Sequence, residues 1–241
     1  MNPRHVLVTG GSGDIGGAIC AALARDGWRV IVHANANGER AEAVAARIRE
    51  ADGDAGTVVF DVTDASAARA VLDALLQAGP IHALVHNAGI HDDAPLAGMA
   101  EEQWRRVIDV SLNGFFHVVQ PLLLPMARAR FGRVVAISSV AATLGNRGQV
   151  NYAAAKSALH GAAKSLAREM ASRNVTVNVV APGIIKGHLT DASFTPEQVK
   201  AMIPAARAGT PAEVAGVVAF LCSNAASYVN GQVIGVNGGM A

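Results

Sequence analysis

Two side chains four positions apart, Tyr152 and Lys156, have the chemistry needed to move a proton. They lie in the stretch YAAAK, whose alanines favour a helix, and residues at positions i and i+4 share one helix face. An ammonium group beside a phenol favours the phenolate, so we expect the pKa of Tyr152 to fall below its usual value of about 10. The pair therefore predicts an acid/base centre.

A serine upstream of this pair can add a hydrogen bond. Ser139 belongs to the segment ISSV, Ile137 to Val140, at the end of an apolar run that predicts a strand. A hydroxyl at that place can donate to a carbonyl oxygen on which negative charge develops. Serines there also serve in turns and helix caps, and the spacing of 13 positions to Tyr152 favours the catalytic interpretation.

A glycine-rich segment near the start, TGGSGDIGG, predicts a phosphate-binding turn. Gly11, Gly13 and Gly16 satisfy a dinucleotide fingerprint, in which glycines allow a tight turn and the pyrophosphate lies on helix N–H groups. Asp14 places a carboxylate in the middle of this turn. We expect Asp14 to cap the following helix with its carboxylate turned away from the phosphates, and Gly13 to add flexibility.

Composition excludes several classes of function. The formal net charge of +1 and the lack of a basic run with interleaved aromatics argue against nucleic-acid binding. The histidines form neither an HExxH motif nor a Cys/His cluster, so we expect no metal site. Cys20 and Cys222 are far apart, which favours reduced thiols in a cytoplasmic protein. We expect no signal peptide, and the apolar stretch from Val107 to Met126 predicts a buried helix rather than a membrane span.

Seven short β-branched runs alternate with helical stretches, and their residues are almost wholly apolar. This pattern predicts an α/β fold, a doubly wound parallel sheet of about seven strands with helices on both faces. We expect one domain over 1–241, with a substrate lid around 184–210. Ligands should bind at the carboxyl ends of the strands. The runs are HVLVT, RVIVH, TVVFD, IHALVH, RVVAIS, VTVNVVA and QVIGV.

Taken together, these motifs resemble short-chain dehydrogenases/reductases in order and spacing over practically the whole chain. The segments that carry the resemblance are TGGSGDIG, Asp61-Val62, Asn87-Ala88-Gly89, Ser139 with Tyr152-x-x-x-Lys156, Pro182-Gly183 and VNGGM. Under it the glycine-rich turn begins at Thr9-Gly10, and Asp14 replaces the middle glycine. GNRGQVNYAAAKSAL, REMASRNVTVNVVAPG and the segment from GTPAEV to VNGGM are most similar to 3-oxoacyl-[acyl-carrier-protein] reductases.

The resemblance implies a Rossmann fold, a nicotinamide cofactor and a homotetramer. Tyr152 would protonate the developing alkoxide, Lys156 would hold the nicotinamide ribose and lower the tyrosine pKa, and Ser139 would orient the carbonyl. Asp61 and Val62 would contact the adenine. The implied cofactor-binding residues are Gly10, Ser12, Gly13, Asp14, Ile15, Asn35, Asp61, Val62, Asn87, Ala88, Gly89, Tyr152, Lys156, Pro182, Gly183 and Ile185.

Two arginines, Arg130 and Arg173, match positions that the reductase family uses to dock an acidic carrier protein. Surface arginines are common, so an ordinary solvated role for both stays open. Charge complementarity of this kind mainly steers association.

The sequence departs from the family pattern at the cofactor. Gly13 lies where many NADPH-dependent relatives have an arginine, yet the end of the second strand also lacks the acid that binds a ribose 2′-hydroxyl. Such an acid would exclude a 2′-phosphate, so we expect NADPH, with NADH not excluded. His33, Asn35 and Arg40 are the candidate phosphate partners.

Two further departures concern catalysis. Ser111 aligns with the catalytic asparagine of the family, which helps to hold a proton-relay water, and Asn113 two positions on should point to another side. Gly187 aligns with a threonine that commonly binds the carboxamide, and Thr190 is out of register.

The expected activity is NADPH-dependent reduction of a 3-oxoacyl thioester, linked to acyl-carrier protein or coenzyme A, to the 3-hydroxyacyl product. GNRGQVNY and QVIGVNGGM also resemble a branch associated with aryl-polyene-type synthesis. The alternatives are a dehydrogenase of a small ketone, sugar or steroid, and a non-catalytic binding or assembly subunit. The intact set of Ser139, Tyr152 and Lys156 argues against the last.

Overall fold

One parallel sheet of seven strands forms the centre of the computed structural model, which describes residues 3–187 and 195–241. The strand order is β3-β2-β1-β4-β5-β6-β7, so the direction of winding reverses between β1 and β4. The strands are β1 His5–Thr9, β2 Arg29–Ala34, β3 Ala55–Val59, β4 Ile81–His86, β5 Gly132–Ile137, β6 Val175–Pro182 and β7 Val233–Val236. The predicted fold class and all seven predicted strands are confirmed.

Helices cover both faces of this sheet. In the described residues they are α1 Asp14–Arg25, α2 Gly38–Glu50, α3 Ala65–Ala78, α4 Glu101–Ile108, α5 Gly114–Ala129, α6 Ala141–Leu144, α7 Val150–Met170, α8 Pro196–Met202 and α9 Pro211–Cys222. A π-helical turn, Asp109–Asn113, joins α4 to α5. Short 3-10 turns lie at Leu96–Gly98 and Ala171–Arg173.

Alternation along the strands divides the apolar residues between two cores. In β1, Val6 and Val8 belong to the core that α1, α2 and α9 cover, whereas Leu7 belongs to the core under α3, α5 and α7. Both faces are thus buried, which explains why the strand sequences are nearly all apolar. The buried sheet leaves its carboxyl edge as the place where loops can present polar side chains.

The helical stretch from Glu101 to Ala129 is long and apolar enough to span a membrane by length and composition alone. This is weak evidence, because core helices of soluble proteins meet the same criterion. In this fold Phe115, Val118 and Leu122 of the stretch are buried in the core beneath the sheet. One face of the stretch is therefore buried as predicted, whereas Phe116 and Leu124 on its other face are exposed.

The predicted lid around 184–210 includes α8, which begins with a capping box between Thr195 and Gln198. Thr190 and the rest of 188–194 lie outside the described residues. A parallel bridge between Ile185 and Gly209 closes the base of the segment. Whether the segment acts as a lid, and whether the chain is one domain, stay predictions.

Candidate active site

The glycine-rich turn lies at the carboxyl end of β1, where the winding of the sheet reverses. Gly10 has φ +61°, a left-handed conformation that glycine adopts without strain. A Cβ on Gly16 would lie 2.2 Å from the Gly10 carbonyl oxygen, so α1 can approach the turn this closely only because Gly16 has no side chain. The turn therefore places the N-terminus of α1 against the sheet edge, as phosphate binding requires.

Gly13 and Asp14 differ from the prediction at the start of α1, while their expected contacts with a cofactor stay predictions. Gly13 is the N-cap of α1 and has φ −86°, a conformation that needs no glycine. Asp14 is the first helical residue, so the prediction that it caps the helix is wrong; as an acid in the first turn it still interacts favourably with the helix dipole. A Cβ on Gly187 would lie 2.6 Å from Asp14 Oδ2. The Asp14 carboxylate thus points at the loop after β6, and the departures at positions 14 and 187 meet in space.

His33 braces the turn from β2. Its Nδ1 accepts the Gly10 N–H at 3.0 Å, and its Nε2–H donates to the Phe60 carbonyl at 2.8 Å. The residue is 1% exposed, and burial lowers its pKa, which keeps the ring neutral. Since both ring nitrogens are used, the prediction that His33 is a phosphate partner is wrong.

Asn87 and Ala88 attach the end of β4 to the same turn. The Thr9 hydroxyl oxygen accepts the backbone N–H groups of Asn87 and Ala88, at 3.0 and 3.1 Å. The Asn87 side chain donates to the Gly10 carbonyl at 3.0 Å. Thr9 and the end of β4 therefore fix the floor of the cleft at the reversal point, beside the exposed Gly89.

A groove of about 600 Å³ lies in front of the turn and is bordered by cations. Ser12, Gly13 and Asp14 line it on one side, Arg40 and Arg47 come from α2, and Lys186 comes from the loop after β6. Asn35 is exposed directly after β2. The charged lining suits an anion, and Asn35 and Arg40 remain candidate phosphate partners.

The predicted adenine contacts lie at the end of β3. Asp61 is exposed, and its Oδ1 accepts both the backbone N–H and the hydroxyl of Thr63 at 2.8 Å. Val62 is 3% exposed and packs against α5, where a Cβ on Gly114 would lie 2.9 Å from it. Val62 therefore forms an apolar wall, and Asp61 is held at the rim of the cleft.

On the other side, Pro182, Gly183 and Ile185 carry the chain away from β6. The Gly183 N–H donates to the Val236 carbonyl at 2.9 Å, and a Cβ on Gly183 would lie 2.8 Å from Asn237. Ile185 is buried. The backbone of this segment is thus fixed against β7 as it borders the cleft.

The three residues with the chemistry to act on a carbonyl meet at the ends of β5 and α7. The Tyr152 phenol is within hydrogen-bonding reach of the Ser139 side chain. Lys156 Nζ lies 5.8 Å from the centre of the Tyr152 ring and donates to the Ile137 carbonyl at 2.9 Å. Ser138, before Ser139, donates to the Lys156 carbonyl at 3.0 Å and so ties α7 to β5.

The prediction that the pKa of Tyr152 falls below its usual value is wrong for the protein without bound ligands. Burial raises the pKa of Tyr152; the Ser139 hydrogen bond opposes this rise, whereas the charge of Asp93 adds to it. Lys156 is itself 3% exposed, and burial lowers its pKa to about 8. The i,i+4 spacing predicts that the two groups are paired, but it cannot predict how far burial shifts the pKa of each.

Ser111 lies behind these residues in the π-helical turn. It is 0% exposed, and its hydroxyl oxygen has no hydrogen-bond partner. A Cβ on Gly89 would lie 2.7 Å from Lys156 Nζ and 3.5 Å from Ser111 Oγ. Both polar groups therefore lie close to Gly89, and only the absence of a side chain there keeps the space between them open. Asn113 instead donates to Asp109 Oδ1 at 2.7 Å on the exposed side, as predicted.

His86 is a buried residue of the site that the sequence interpretation missed. Its Nε2–H donates to the Ser111 carbonyl at 3.0 Å, and its Nδ1 accepts from the Thr9 hydroxyl at 3.3 Å. Burial lowers its pKa to about 3. Its position next to Asn87 was the available signal, although the partner at Ser111 lies 25 positions away.

Arg130 and Arg173 lie together but at the opposite edge of the sheet. Arg130 ends α5 in a left-handed conformation and donates to the Ser172 carbonyl at 3.4 Å. Asn174, next to Arg173, donates to the Arg130 carbonyl at 3.0 Å. Both arginines are exposed where β5 and β6 begin, whereas Ser139 and Tyr152 lie at the carboxyl edge.

Comparison with known proteins places these features in one family. A family model described as enoyl-(acyl carrier protein) reductase matches residues 11–241. The chain is 45% identical over 237 residues to the 3-oxoacyl-[acyl-carrier-protein] reductase FabG of Aggregatibacter actinomycetemcomitans, with 98% of each chain covered. It is 42% identical over 240 residues to FabG of Staphylococcus aureus strain Mu50, again with 98% of each covered.

A relative from a third genus gives the same result. The chain is 45% identical over 240 residues to the 3-oxoacyl-[acyl-carrier-protein] reductase MabA of Mycobacterium tuberculosis strain H37Rv, covering 98% of this chain and 92% of that protein.

Proposed function

Because the chain belongs to the short-chain dehydrogenase/reductase family of nicotinamide-dependent oxidoreductases, we propose that it reduces 3-oxoacyl thioesters to 3-hydroxyacyl thioesters in fatty-acid or related polyene synthesis. The observation that carries the proposal is the meeting of two hydroxyl groups, those of Ser139 and Tyr152, beside the buried ammonium of Lys156. Two hydroxyl donors within hydrogen-bonding reach of each other suit a carbonyl oxygen that becomes an alkoxide.

In the proposed reaction a bound nicotinamide supplies the hydride that adds to the 3-carbonyl carbon. Ser139 donates a hydrogen bond to the carbonyl oxygen and orients it. Tyr152 gives its phenolic proton to the same oxygen, so the carbonyl gains one hydride and one proton and becomes the alcohol. The charge of Lys156 then stabilises the phenolate that remains until Tyr152 is reprotonated.

Ser111 supplies the proton path in this account. A buried hydroxyl with no partner is rare and favours an ordered water, which can make several hydrogen bonds to buried polar groups. The short separation across Gly89 lets such a water connect Ser111 with Lys156. Ser111 thus takes the place of the asparagine of related reductases as the holder of the relay water.

The residues of the cleft suit a dinucleotide: the N-terminus of α1 would hold the pyrophosphate, and Val62 and Asp61 would contact the adenine. We assign NADPH rather than NADH because no acid follows β2 to exclude a 2′-phosphate. Asn35 and Arg40 would bind that phosphate, and Arg40 already borders the groove in front of the turn. Many NADPH-dependent relatives bind the 2′-phosphate with an arginine at the position of Gly13. In this chain Asn35 and Arg40 would take over that role.

The substrate is carried on an acyl-carrier protein or coenzyme A in this proposal. Arg130 and Arg173 offer a basic docking point for an acidic carrier. Since they lie at the amino edge, a carrier bound there would present its thioester to the site of a neighbouring copy. A cytoplasmic homotetramer fits this arrangement, and the exposed Phe116, Leu124 and Phe220 supply apolar surface for contacts between copies.

A second candidate is reduction of a 2-enoyl thioester, because the matching family model is described as an enoyl reductase. In that reaction the proton goes to carbon rather than oxygen, so a pair of hydroxyls aimed at one oxygen is less useful. Reduction of a small ketone, sugar or steroid keeps the same catalytic groups, and it would leave Arg130 and Arg173 without a role.

The test is a matrix of initial rates with two cofactors and four substrates. NADPH and NADH are each offered with a short 3-oxoacyl-carrier thioester, the matching coenzyme A ester, the 2-enoyl thioester and a simple ketone. The proposal expects the 3-oxoacyl thioester with NADPH to be fastest. A faster enoyl or simple ketone reaction would replace the proposed substrate, and equal rates with both cofactors would contradict the assignment of NADPH.

Charge reversal at Arg130 and Arg173 distinguishes recognition of the carrier protein from recognition of the acyl chain. The double variant R130E/R173E should raise KM for the carrier-linked substrate about tenfold or more and leave the coenzyme A ester unchanged. Arg128, a neighbouring arginine in the last turn of α5, supplies the matched control R128E. Equal loss with both esters would show that the pair acts on folding or assembly instead.

A further inference from the structure

A carboxylate outside the predicted catalytic set, that of Asp93, contacts the first turn of α7, and its charge raises the pKa of Tyr152. Asp93 lies in the loop after β4, and its Oδ2 accepts the side-chain N–H of Gln149 at 2.8 Å. His91 Nδ1 lies 3.3 Å from its other oxygen. Gln149 is the N-cap residue of α7, three positions before Tyr152, so the contact fixes Asp93 at the helix turn that presents the phenol.

Neighbouring bonds hold the two loops together and give this contact a defined geometry. The Ala94 N–H donates to the Gly148 carbonyl at 2.9 Å. The Asn151 side chain donates to the Asp92 carbonyl at 2.9 Å, while its oxygen accepts the Tyr152 N–H at 2.8 Å. Asn151 is 0% exposed, so this attachment is a buried part of the fold. Asp93 therefore cannot move away from α7 without breaking several bonds.

Ser139 and Asp93 shift the pKa of the Tyr152 phenol, and the ammonium of Lys156 lies 5.8 Å from the centre of its ring. Ser139 bonds it from the end of β5, the Lys156 cation lies on the same helix, and Asp93 is the nearby anion. Asp93 in turn contacts His91 and Gln149. Arg147, two positions before Gln149, is exposed. The anion and the cation oppose each other, since a negative charge favours the neutral phenol and a positive charge favours the phenolate.

We propose that Asp93, fixed by Gln149, is a positioning residue that keeps the Tyr152 phenol protonated and so biases the site toward carbonyl reduction. The inference rests on the proposed role of Tyr152 as the acid. Reduction needs a phenol with a proton to give, whereas oxidation of the alcohol needs a phenolate to accept one. An anion beside the phenol therefore extends reduction to higher pH and suppresses oxidation at neutral pH.

The neighbouring acid supplies a matched control. Asp92 has the same side chain, but it is held away from Tyr152 by Arg106 Nη2 at 2.9 Å and Gln103 Nε2 at 2.7 Å. Asp93→Asn and Asp92→Asn remove the same charge at adjacent positions and preserve side-chain size. A general effect of loop charge would change both variants alike.

The first readout is a direct titration that needs no substrate. The chain has two tyrosines, and Tyr228 is fully exposed, so in a Y228F background the phenolate absorbance reports Tyr152 alone. D93N should lower the titration midpoint of Tyr152 by about half a pH unit, a modest shift because the Asp93 side chain is 44% exposed and screened. D92N should leave the midpoint unchanged. An unchanged midpoint in D93N, or an equal shift in D92N, would overturn the proposal.

The second readout is the pH profile of turnover in both directions. D93N should move the basic limb of kcat/KM for reduction to lower pH by a similar amount, and should raise the rate of alcohol oxidation about threefold at neutral pH. A uniform loss of activity with unmoved limbs would show that Asp93 only supports the loop. If D93N fails to fold, Gln149→Ala releases the carboxylate from α7 and should shift the same limb. A shifted titration without carbonyl reduction would refute the proposed function and leave this electrostatic inference standing.

Discussion

The two edges of the sheet each hold a buried cation, and the surroundings of the two cations differ. At the amino edge, Arg133 is 1% exposed and donates to the Gly132, Asn174 and Ser223 carbonyls. Its guanidinium also lies 4.3 Å from the centre of the Phe131 ring. At the carboxyl edge, Lys156 is 3% exposed and donates to the Ile137 carbonyl beside an unpartnered Ser111 hydroxyl.

The difference separates a charge that stabilises the fold from one that is kept for chemistry. A buried ion is tolerated when hydrogen bonds replace its water, and Arg133 has such bonds together with a cation–π contact. Burial lowers the pKa of both cations, and that of Lys156, which has one carbonyl partner, falls to about 8. We therefore expect Lys156 and the Ser111 hydroxyl at the carboxyl edge to gain further hydrogen-bond partners when ligands bind.

The largest effect should follow from Lys156→Met, which tests the carboxyl edge. Turnover should fall by a factor of about 10² or more, because the variant lacks the charge that stabilises the phenolate. At about pH 7 the free energy of unfolding should rise by about 1–3 kcal/mol, since the variant no longer buries a disfavoured charge. Urea denaturation of the cofactor-free protein measures this change, and a stability loss would contradict the comparison.

The matching change at the amino edge should have the opposite result. Arg133→Met removes the same kind of buried charge and also removes one donor from each of three carbonyl groups, of which that of Asn174 keeps the Gly132 N–H. Its free energy of unfolding should fall by about 2–4 kcal/mol, while kcat/KM at a permissive temperature stays within about twofold. Thermal denaturation and a kinetic assay check the two halves of this prediction. A large loss of turnover in folded Arg133→Met would contradict the claim that the buried charge at the amino edge serves stability rather than catalysis.

The acid stability of the carboxyl edge should depend on His86. Its pKa is lowered to about 3 in the folded chain, so between about pH 6.5 and pH 3 the unfolded chain binds a proton that the folded chain does not. Stability contributed by neutral His86 is therefore lost as the pH falls through this window. In His86→Gln the loss should shrink by about 2–4 kcal/mol. Unfolding curves at several pH values would show an equal acid slope if His86 were not the cause.

The smallest effect concerns the contact between positions 14 and 187. Gly187→Ala would bring a methyl group against the Asp14 carboxylate, which can turn aside, so cofactor affinity should fall only about two- to fivefold. In an Asp14→Gly background the same change should cost less, and the remaining loss should come from the backbone strain of a side chain at φ +158°. Additive losses in this double-mutant cycle would show that the two positions are independent. The cycle is measured by cofactor fluorescence on binding.

The sequence predicts local features better than it predicts the environment of each charge. The seven strands follow from apolar runs buried on both faces, and the meeting of Ser139, Tyr152 and Lys156 follows from a helix face and a strand end. The hydrogen bonds of His33 and His86 depend on partners 23 to 77 positions away, so no local spacing indicates them. A carboxylate suits a capping position, which is why the sequence predicts Asp14 as the cap, yet the helix begins one residue earlier than that prediction requires and Gly13 is the cap.

The direction of the Tyr152 pKa shows the same limit. The i,i+4 spacing correctly predicts a nearby cation, but burial and the Asp93 charge raise the pKa of Tyr152 despite the Ser139 hydrogen bond that lowers it. Both influences come from elements that pack against α7 rather than from α7 itself. A sequence pattern supplies the pair, and only the packed fold supplies the solvent exposure that sets its charge.

Tyr152→Phe tests the central claim most directly, because it removes one oxygen and its proton from the site. The measurement is turnover of NADPH with a 3-oxoacyl-carrier thioester, made beside direct binding of NADPH to the same protein. We expect kcat/KM to fall by a factor of about 10² to 10⁴ while NADPH affinity stays within about threefold. Turnover that persists in Tyr152→Phe would contradict the assignment of Tyr152 as the acid and of the carboxyl edge as the site of carbonyl reduction.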